Sequence, residues 1–363
     1  MKKVLFCVHA LTSGGAERVV SVWSSKLADV GYDVTVLNYS GAEQEYSLSQ
    51  NVKRKFIAET REDFLKLNYL KRAIAIRKAI KSTDAEVVIS FLPNTQIYVM
   101  LFSIGLKIKR IETLRVSPWH IGGRGLFSFL WNLCLKTGDL VILQNEDQKS
   151  YYSKRQQKKC VVVPNTVDIK YEKNGKSEYS KTVRNFVAAG RITEQKNYPM
   201  MIEAFVKAHE DNPEINLEIY GTGSDEYIAK LENLIKVKDA QEYIRLCGRT
   251  NDMQSVMMGK DAFIMSSDYE GLPNALIEAM SIGLPCISTD CPCGGPRMLI
   301  DDFENGLLVP VGDSKAMSDA MNFVAENPEK ASKMGKAASS IKDALEVTKI
   351  ADEWLNFISD RIK

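Results

Sequence analysis

The chain has 363 residues, and 48 Lys+Arg nearly cancel 46 Asp+Glu for a formal net charge of +2. Hydrophobic residues make up 45% and charged residues 26%, which excludes a disordered or fibrous chain; the length exceeds one ordinary core, so two domains of roughly 150–200 residues are expected. The longest apolar run, Ile97 to Leu106, ends at Lys107; about 20 apolar residues are needed to span a bilayer, so no transmembrane helix is expected.

From the N-terminus, Val4–His9 is apolar only briefly before Thr12-Ser13-Gly14-Gly15 and Glu17, which reads as a buried first strand rather than a signal peptide. Further strands are predicted at Val34–Tyr39, Val52–Ile57, Val87–Phe91, Ile111–Arg115, Leu140–Leu143 and Cys160–Val163, with helical patterns near 16–30, 64–81, 95–106, 123–137 and 146–154. Pro164-Asn165-Thr166-Val167-Asp168 then leads into a polar stretch without apolar period, a linker over 166–181. The same rhythm restarts: strands at Val183–Ala189, Leu217–Tyr220, Ile244–Cys247, Ala262–Met265, Pro285–Ser288 and Gly306–Val309, helices at 199–210, 224–237, 273–282, 314–326 and 330–343. A last helix, roughly 347–361, carries Trp354, Leu355, Phe357 and Ile358 as an apolar stripe. Alternating strands and helices predict an α/β chain with two doubly wound parallel-sheet domains, 1–165 and 182–346, facing across a cleft; open sheets of this kind bind ligands at the carboxyl ends of their strands.

The balanced charge hides an asymmetry. Residues 1–165 hold 25 Lys+Arg and 14 Asp+Glu, a net +11, whereas 166–363 hold 23 and 32, a net −9. Either the basic half meets an anionic partner, or the halves complement each other across a domain interface. The seven unevenly spaced Cys suit reduced cytosolic thiols. Cys286, Cys291 and Cys293 lack a fourth ligand nearby and fall short of a zinc pattern, so structural thiols are expected and no metal site.

Three motifs carry candidate chemistry. Gly14 and Gly15 lie between a strand and a helix, where glycine lets a ligand approach the backbone and the helix start attracts an anion. This is neither a dinucleotide fingerprint nor a P-loop. Gly190-Arg191, followed by Lys196, sets two cations five residues apart after a strand, one a fork and one a point charge, suited to a diphosphate; solvated surface cations are the plain alternative. The most specific is Glu270-Gly271-Leu272-Pro273-Asn274-Ala275-Leu276-Ile277-Glu278-Ala279-Met280, in which Pro273 is expected as first helical residue and the amides of Leu272 to Ala275 offer a phosphate site.

In order and spacing, Gly-Gly-Ala-Glu-Arg, Gly-Arg-x4-Lys and Glu-Gly-Leu-Pro-x4-Glu-Ala-Met-x2-Gly-x-Pro resemble a retaining glycosyltransferase of the GT-B fold, in the large family 4 type that includes bacterial capsule, exopolysaccharide and lipopolysaccharide transferases. The likeness covers essentially the whole chain. Thr166 replaces a usual Gly in the Pro-Asn-Gly-Val-Asp boundary motif, and Cys293-Gly294-Gly295 departs from a more usual single Gly. The resemblance implies a nucleotide-sugar donor, UDP-linked, as co-substrate, with no cofactor and no metal. It implies that Gly14 and Gly15 approach the donor diphosphate, that Arg191 and Lys196 neutralise it, and that Glu270 orients the donor sugar. Glu278 would bind the ribose, and the base would lie near Gly248 and Arg249. The helix 347–363 would cross back to the first domain.

On the acceptor side, relatives carry a His after the strand at Ile111–Arg115; here Arg115 and His120 both stand near that place, and register decides between them. The implied acceptor is a glycan or lipid-linked glycan. Residues 64–81 form a basic amphipathic pattern with six cations and a stripe of Leu67, Leu70, Ile74 and Ile80. The stripe is expected to pack on the sheet, while the charges can face an anionic membrane from a cytoplasmic, peripheral position. No nucleic-acid-binding module accompanies the charge. A GT-B nucleotide-sugar epimerase and a non-catalytic sugar-nucleotide-binding protein are the rival readings.

Overall fold

The computed structural model describes the chain except residues 1, 13, 43–44, 116, 122–124, 168–181 and 362–363, and describes only the backbone of His120, Ile121, Leu355 and residues 358–361. Most of the expected linker, from 168 on, lies outside the described residues. The chain divides into two compact units, Met1–Thr166 with Val347–Lys363, and Val167–Glu346.

The first unit runs β1 (Lys3–Val8), α1 (Gly15–Asp29), β2 (Asp33–Asn38), β3 (Lys53–Phe56), α2 (Arg61–Lys66), α3 (Tyr69–Lys81), β4 (Val87–Phe91), α4 (Pro93–Phe102) and β5 (Lys109–Thr113). It continues through α5 (Pro118–Ile121), α6 (Leu126–Thr137), β6 (Leu140–Leu143), α7 (Glu146–Ser150), α8 (Lys154–Gln157) and β7 (Cys160–Val162). Its seven strands pair in the order β3-β2-β1-β4-β5-β6-β7, all parallel. Because strand side chains alternate, Val4, Phe6 and Val8 enter the core under α1, while Leu5 and Cys7 enter the one under α3 and α4.

The second unit runs β8 (Asn185–Ala189), α9 (Tyr198–Asp211), β9 (Asn216–Tyr220), α10 (Asp225–Val237), β10 (Ile244–Gly248), α11 (Met253–Met258), β11 (Ala262–Met265) and α12 (Asn274–Ile282). Then come β12 (Cys286–Thr289), α13 (Gly295–Leu299), β13 (Leu307–Val309), α14 (Ser314–Glu326), α15 (Pro328–Ala338) and α16 (Ile341–Ala344). Its sheet has the order β10-β9-β8-β11-β12-β13, and cores on both faces. Both units are therefore Rossmann-like doubly wound layers. The last helix, α17 (Val347–Arg361), belongs to the first unit: Trp354 packs 4.2 Å from Trp23 of α1 and 6.2 Å from Phe6, ring centre to ring centre. Of its expected stripe, Trp354 is buried and Phe357 exposed.

Several predicted helices differ in detail. The pattern at 64–81 is two helices, because Asn68 accepts from Lys71 N at 2.9 Å and caps α3, ending α2 before it. Its stripe does not all pack: Ile80 is buried and Leu67 is half-buried against the same core, but Leu70 and Ile74 are 67% and 59% exposed, and the buried place beside Ile80 is taken by Ile76, outside the expected stripe. The pattern at 146–154 also divides, where Ser153 and Gln156 form a capping box at the start of α8.

Candidate functional site

The second sheet reverses its winding between β8 and β11, with β9 and β10 laid down on one side and β12 and β13 on the other. Such a switch point opens a crevice at the carboxyl ends of the two strands, where open α/β sheets hold ligands. The loop after β8 makes one 3-10 turn, Glu194–Lys196, and reaches Asn197 in the left-handed region at φ 45°, where its side chain caps α9 by accepting from Met200 N. The loop after β11 is laced to it. Ser266 Oγ donates to Lys196 O at 2.7 Å, Asn197 Nδ2 to Asp268 Oδ1 at 2.7 Å, and Gln195 Nε2 to Tyr269 O at 2.8 Å.

This lacing brings Lys196 Nζ to 2.6 Å from Glu270 Oε1, with the two side chains 14% and 11% exposed. Ser267 Oγ donates to the same oxygen at 2.8 Å. Glu270 Oε2 has no hydrogen-bond partner among the described residues. The loop after β12 fixes the Glu270 backbone: Glu270 N donates to Pro292 O at 2.7 Å, while Cys293 N and Cys293 Sγ donate to Glu270 O at 3.0 and 3.1 Å. Burial pushes the Cys291 thiol up to about 12, with the Glu270 carboxylate adding to the effect, so it stays protonated at neutral pH. Arg191 is exposed and its guanidinium has no partner among the described residues. The loop after β8 thus carries one cation fixed by a carboxylate, Lys196, and one exposed cation, Arg191.

Pro273 stands at the cap position of α12, so the helix starts at Asn274, one residue later than expected; no side chain caps it. Helix starts of this kind point amides and positive dipole outward. Glu278 is buried on the second turn. Gly248 and Arg249 are exposed at the end of the edge strand β10, two strands from β8. Gly221 N donates to Gly248 O at 2.8 Å and Gly190 N to Tyr220 O at 3.0 Å, which aligns the three strand ends. A Cβ on Gly221 would stand 1.8 Å from Gly190 O, so only glycine lets the ends of β8 and β9 pass this closely. Among the described residues no group of three or more His, Cys, Asp or Glu gathers as metal ligands.

In the first unit, Gly14 is the cap residue of α1 and Gly15 its first residue. A Cβ on Gly14 would lie 2.1 Å from Glu17 Oε2, so that carboxylate folds back over the helix start. Arg115 turns inward. Its Nη1 donates to Asn165 Oδ1 at 2.8 Å and its Cζ stacks 4.6 Å from the Trp23 ring centre, while Nε and Nη2 are sealed from solvent without a partner. Burial lowers its pKa to about 9. The backbone of His120 lies in α5; its side chain lies outside the described residues. His9, to which the sequence assigned no role, directly follows the first strand with its ring edge-on to Phe64 at 5.4 Å; burial first, then Arg61 and Arg72, lowers its pKa. The sequence reading also missed Ser267, Asn197 and Asp268, although all lie within four residues of predicted site positions.

A profile of the family described as Glycosyl transferases group 1 matches residues 170–340, and one described as Glycosyltransferase Family 4 matches residues 13–171. The chain is 27% identical, over 99% of both chains, to the GalNAc-alpha-(1->4)-GalNAc-alpha-(1->3)-diNAcBac-PP-undecaprenol alpha-1,4-N-acetyl-D-galactosaminyltransferase of Campylobacter jejuni. It is 23% identical to the amylovoran biosynthesis glycosyltransferase AmsD of Erwinia amylovora, over 93% of this chain and 94% of that one. The solved structure of Anabaena HepE in complex with UDP and glucose matches with a TM-score of 0.84 at 17% identity, over 99% of this chain and 100% of that one, a likeness of fold.

Proposed function

Because the chain belongs to the GT-B glycosyltransferases of the family 4 type, we propose that it moves a hexose or N-acetylhexosamine from a UDP-linked sugar to a lipid-linked or surface-glycan acceptor in bacterial polysaccharide assembly, with retention of configuration. The observation that carries this reading is the Lys196–Glu270 pair at the switch point of the second sheet, beside the unpartnered Arg191. The Campylobacter relative, whose name gives a diphospho-undecaprenol acceptor, and HepE, whose structure contains UDP and glucose, support the choice of acceptor and donor class.

In the proposed reaction the bond from the sugar's anomeric carbon to the diphosphate breaks. The acceptor oxygen bonds to the same face of that carbon, and the acceptor's proton passes to the departing phosphate oxygen. Negative charge grows on the diphosphate as it leaves. Arg191 takes it with a fork of donors, Lys196 with a point charge, and the Gly271–Ala275 start of α12 with its dipole and the amides of Gly271, Leu272, Asn274 and Ala275, Pro273 shaping the turn without an N–H of its own; these fixed charges favour the transition state over the ground state. Glu270 Oε2 accepts a sugar hydroxyl, its other oxygen being held by Lys196 and Ser267. Glu278 holds the ribose, the base lies along Gly248 and Arg249, and Gly14 and Gly15 admit the diphosphate. These groups take the place of a metal, and the nucleotide sugar is a co-substrate rather than a cofactor. On the acceptor side His120 and Arg115 are the proposed contacts, Arg115 only once its stack on Trp23 opens. The basic first unit is proposed to meet an anionic membrane surface; among the described residues no helix is long and apolar enough to cross one.

Replacing Glu270 with Ala tests the reading. Transfer should fall by about 10²–10³-fold while UDP affinity changes less than about twofold; unchanged turnover removes Glu270 from the mechanism. UDP release that requires acceptor separates transfer from epimerisation, which consumes the donor alone.

A further inference from the structure

Helix α6 has two apolar faces. One is spent on the core: Trp131 and Leu135 are buried in a cluster with Ile97, Leu114, Val141 and Leu143. The other, Leu126, Phe129 and Leu133 at i, i+3 and i+7, forms one stripe that is 73%, 64% and 37% exposed. Beside α6, Trp119 of α5 is 45% exposed and stands edge-on to Tyr151, whose hydroxyl reaches Asn132 of α6. Residues 113–138 contain no Asp or Glu, and Lys136 stands in the last turn of α6. A helix that exposes a charge-free apolar stripe in this way carries a surface made for something other than water.

The occupant follows from charge. A second copy would bring an equally basic surface against this one, since residues 1–165 carry a net +11, and like charges oppose that contact. Anionic lipid supplies both an apolar interior for Leu126, Phe129 and Leu133 and negative headgroups for the surrounding cations, and Trp is at home at that boundary. The exposed Leu70 and Ile74 of α3 differ, because they are only two apolar side chains among Lys71, Arg72 and Lys78, a surface that can meet the headgroups by charge but offers no continuous stripe to enter below them. We infer that the Leu126–Phe129–Leu133 face of α6, with Trp119, is the part of this protein that enters the interfacial layer of an anionic bilayer. The inference gives the membrane contact of the proposed lipid-linked acceptor its element, and rests on that reading for its purpose.

The four tryptophans provide the test, because Trp23, Trp131 and Trp354 are at most 2% exposed and Trp119 is the open one. The full chain is mixed with phosphatidylcholine vesicles containing phosphatidylglycerol, with and without brominated acyl chains. Emission should shift to the blue and be quenched by the brominated lipid, and Trp119→Phe should remove the quenching. Leu126→Ser/Phe129→Ser/Leu133→Ser should lower flotation with these vesicles by about tenfold with UDP binding and thermal unfolding unchanged, while Leu70→Ser/Ile74→Ser should lower it less than about twofold. If the parent floats but Trp119 is not quenched, or the triple variant floats like the parent, α6 is not the contact and the lipid-linked reading stands. A parent that does not float at all overturns both. A dimer of the parent that the triple variant breaks, with no change in flotation, assigns the face to a second copy and overturns the inference.

Discussion

In the second unit the loops after β8, β11 and β12 are bound to one another around Glu270, and four large apolar side chains lie exposed among the described residues; in the first unit thirteen do. Charge divides the same way. Residues 347–363, which join the first unit, add three cations and three anions, so the net values of +11 and −9 hold for the units as well as for the two stretches of sequence. The second unit gathers Lys196, Ser267 and Glu270 where its loops meet, an arrangement suited to the small charged donor proposed above. The first buries its notable polar groups, Glu112 and Arg115, and leaves its apolar surplus outside. A donor is recognised by a few fixed groups; an acceptor presented on a surface is met by an area.

The strongest challenge to this contrast is Lys196→Ala. If the crevice is built by mutual support, losing Lys196 leaves the Glu270 carboxylate largely buried and without its cation. Transfer should fall about 10²–10³-fold, and the unfolding free energy by about 3 kcal/mol, read from urea denaturation. Glu270→Gln on that background should restore part of the stability but none of the activity. A lost rate with unchanged stability would mean that the lacing serves the ligand alone, and that the second unit is no more internally tied than the first.

The sequence carries much of this. Short apolar runs alternating with amphipathic stretches give the strands of both sheets, and Gly190-Arg191 with Lys196 and the Glu270 to Glu278 segment mark the crevice, since each motif sits where a strand meets a helix. The rest depends on chain segments remote in sequence. That Cys293 holds the Glu270 carbonyl, and that Ser267 shares the Glu270 oxygen with Lys196, follows from which strand ends lie side by side. Periodicity also names a face without naming what covers it: Ile80 and Ile74 belong to one predicted stripe, yet one is buried and the other open.

Glu112 tests whether the first unit's buried polar groups serve its own core. Burial raises its carboxyl from the usual 4.5 to about 7, opposed by the Ser90 hydroxyl and by Arg110, with Asp139 adding to the rise. The folded protein therefore holds this proton more tightly than the unfolded chain. The resulting stability is complete below about pH 4.5 and is lost as pH rises through about 7. Glu112→Gln keeps an acceptor for Ser90 and removes the titration, so the variant should gain on the parent by on the order of 2 kcal/mol between pH 5 and pH 8. A stability difference that does not change with pH would show that the carboxyl is already paired as an anion.

The smallest effect probes how the first unit holds its surface. Asn68 ends α2 and begins α3 by accepting from Lys71 N, and α3 then packs through Ile76 and Ile80 while Leu70 and Ile74 face outward. With Asn68 replaced by Ala, the first turn of α3 loses its cap, at a cost of about 1 kcal/mol. Because that turn lies at the exposed end of the helix, remote from the two buried isoleucines, the loss should appear as faster amide exchange over residues 69–73 and only a small fall in the unfolding midpoint. The same turn carries Lys71 and Arg72, the latter bonded to Phe64 O and Leu65 O of the preceding helix. Those bonds should hold α2 and α3 together without the cap, so exchange in α2 should change little; if α2 frays with α3, the two helices form one cooperative surface element and the single helix expected over 64–81 describes their energetics better than their geometry.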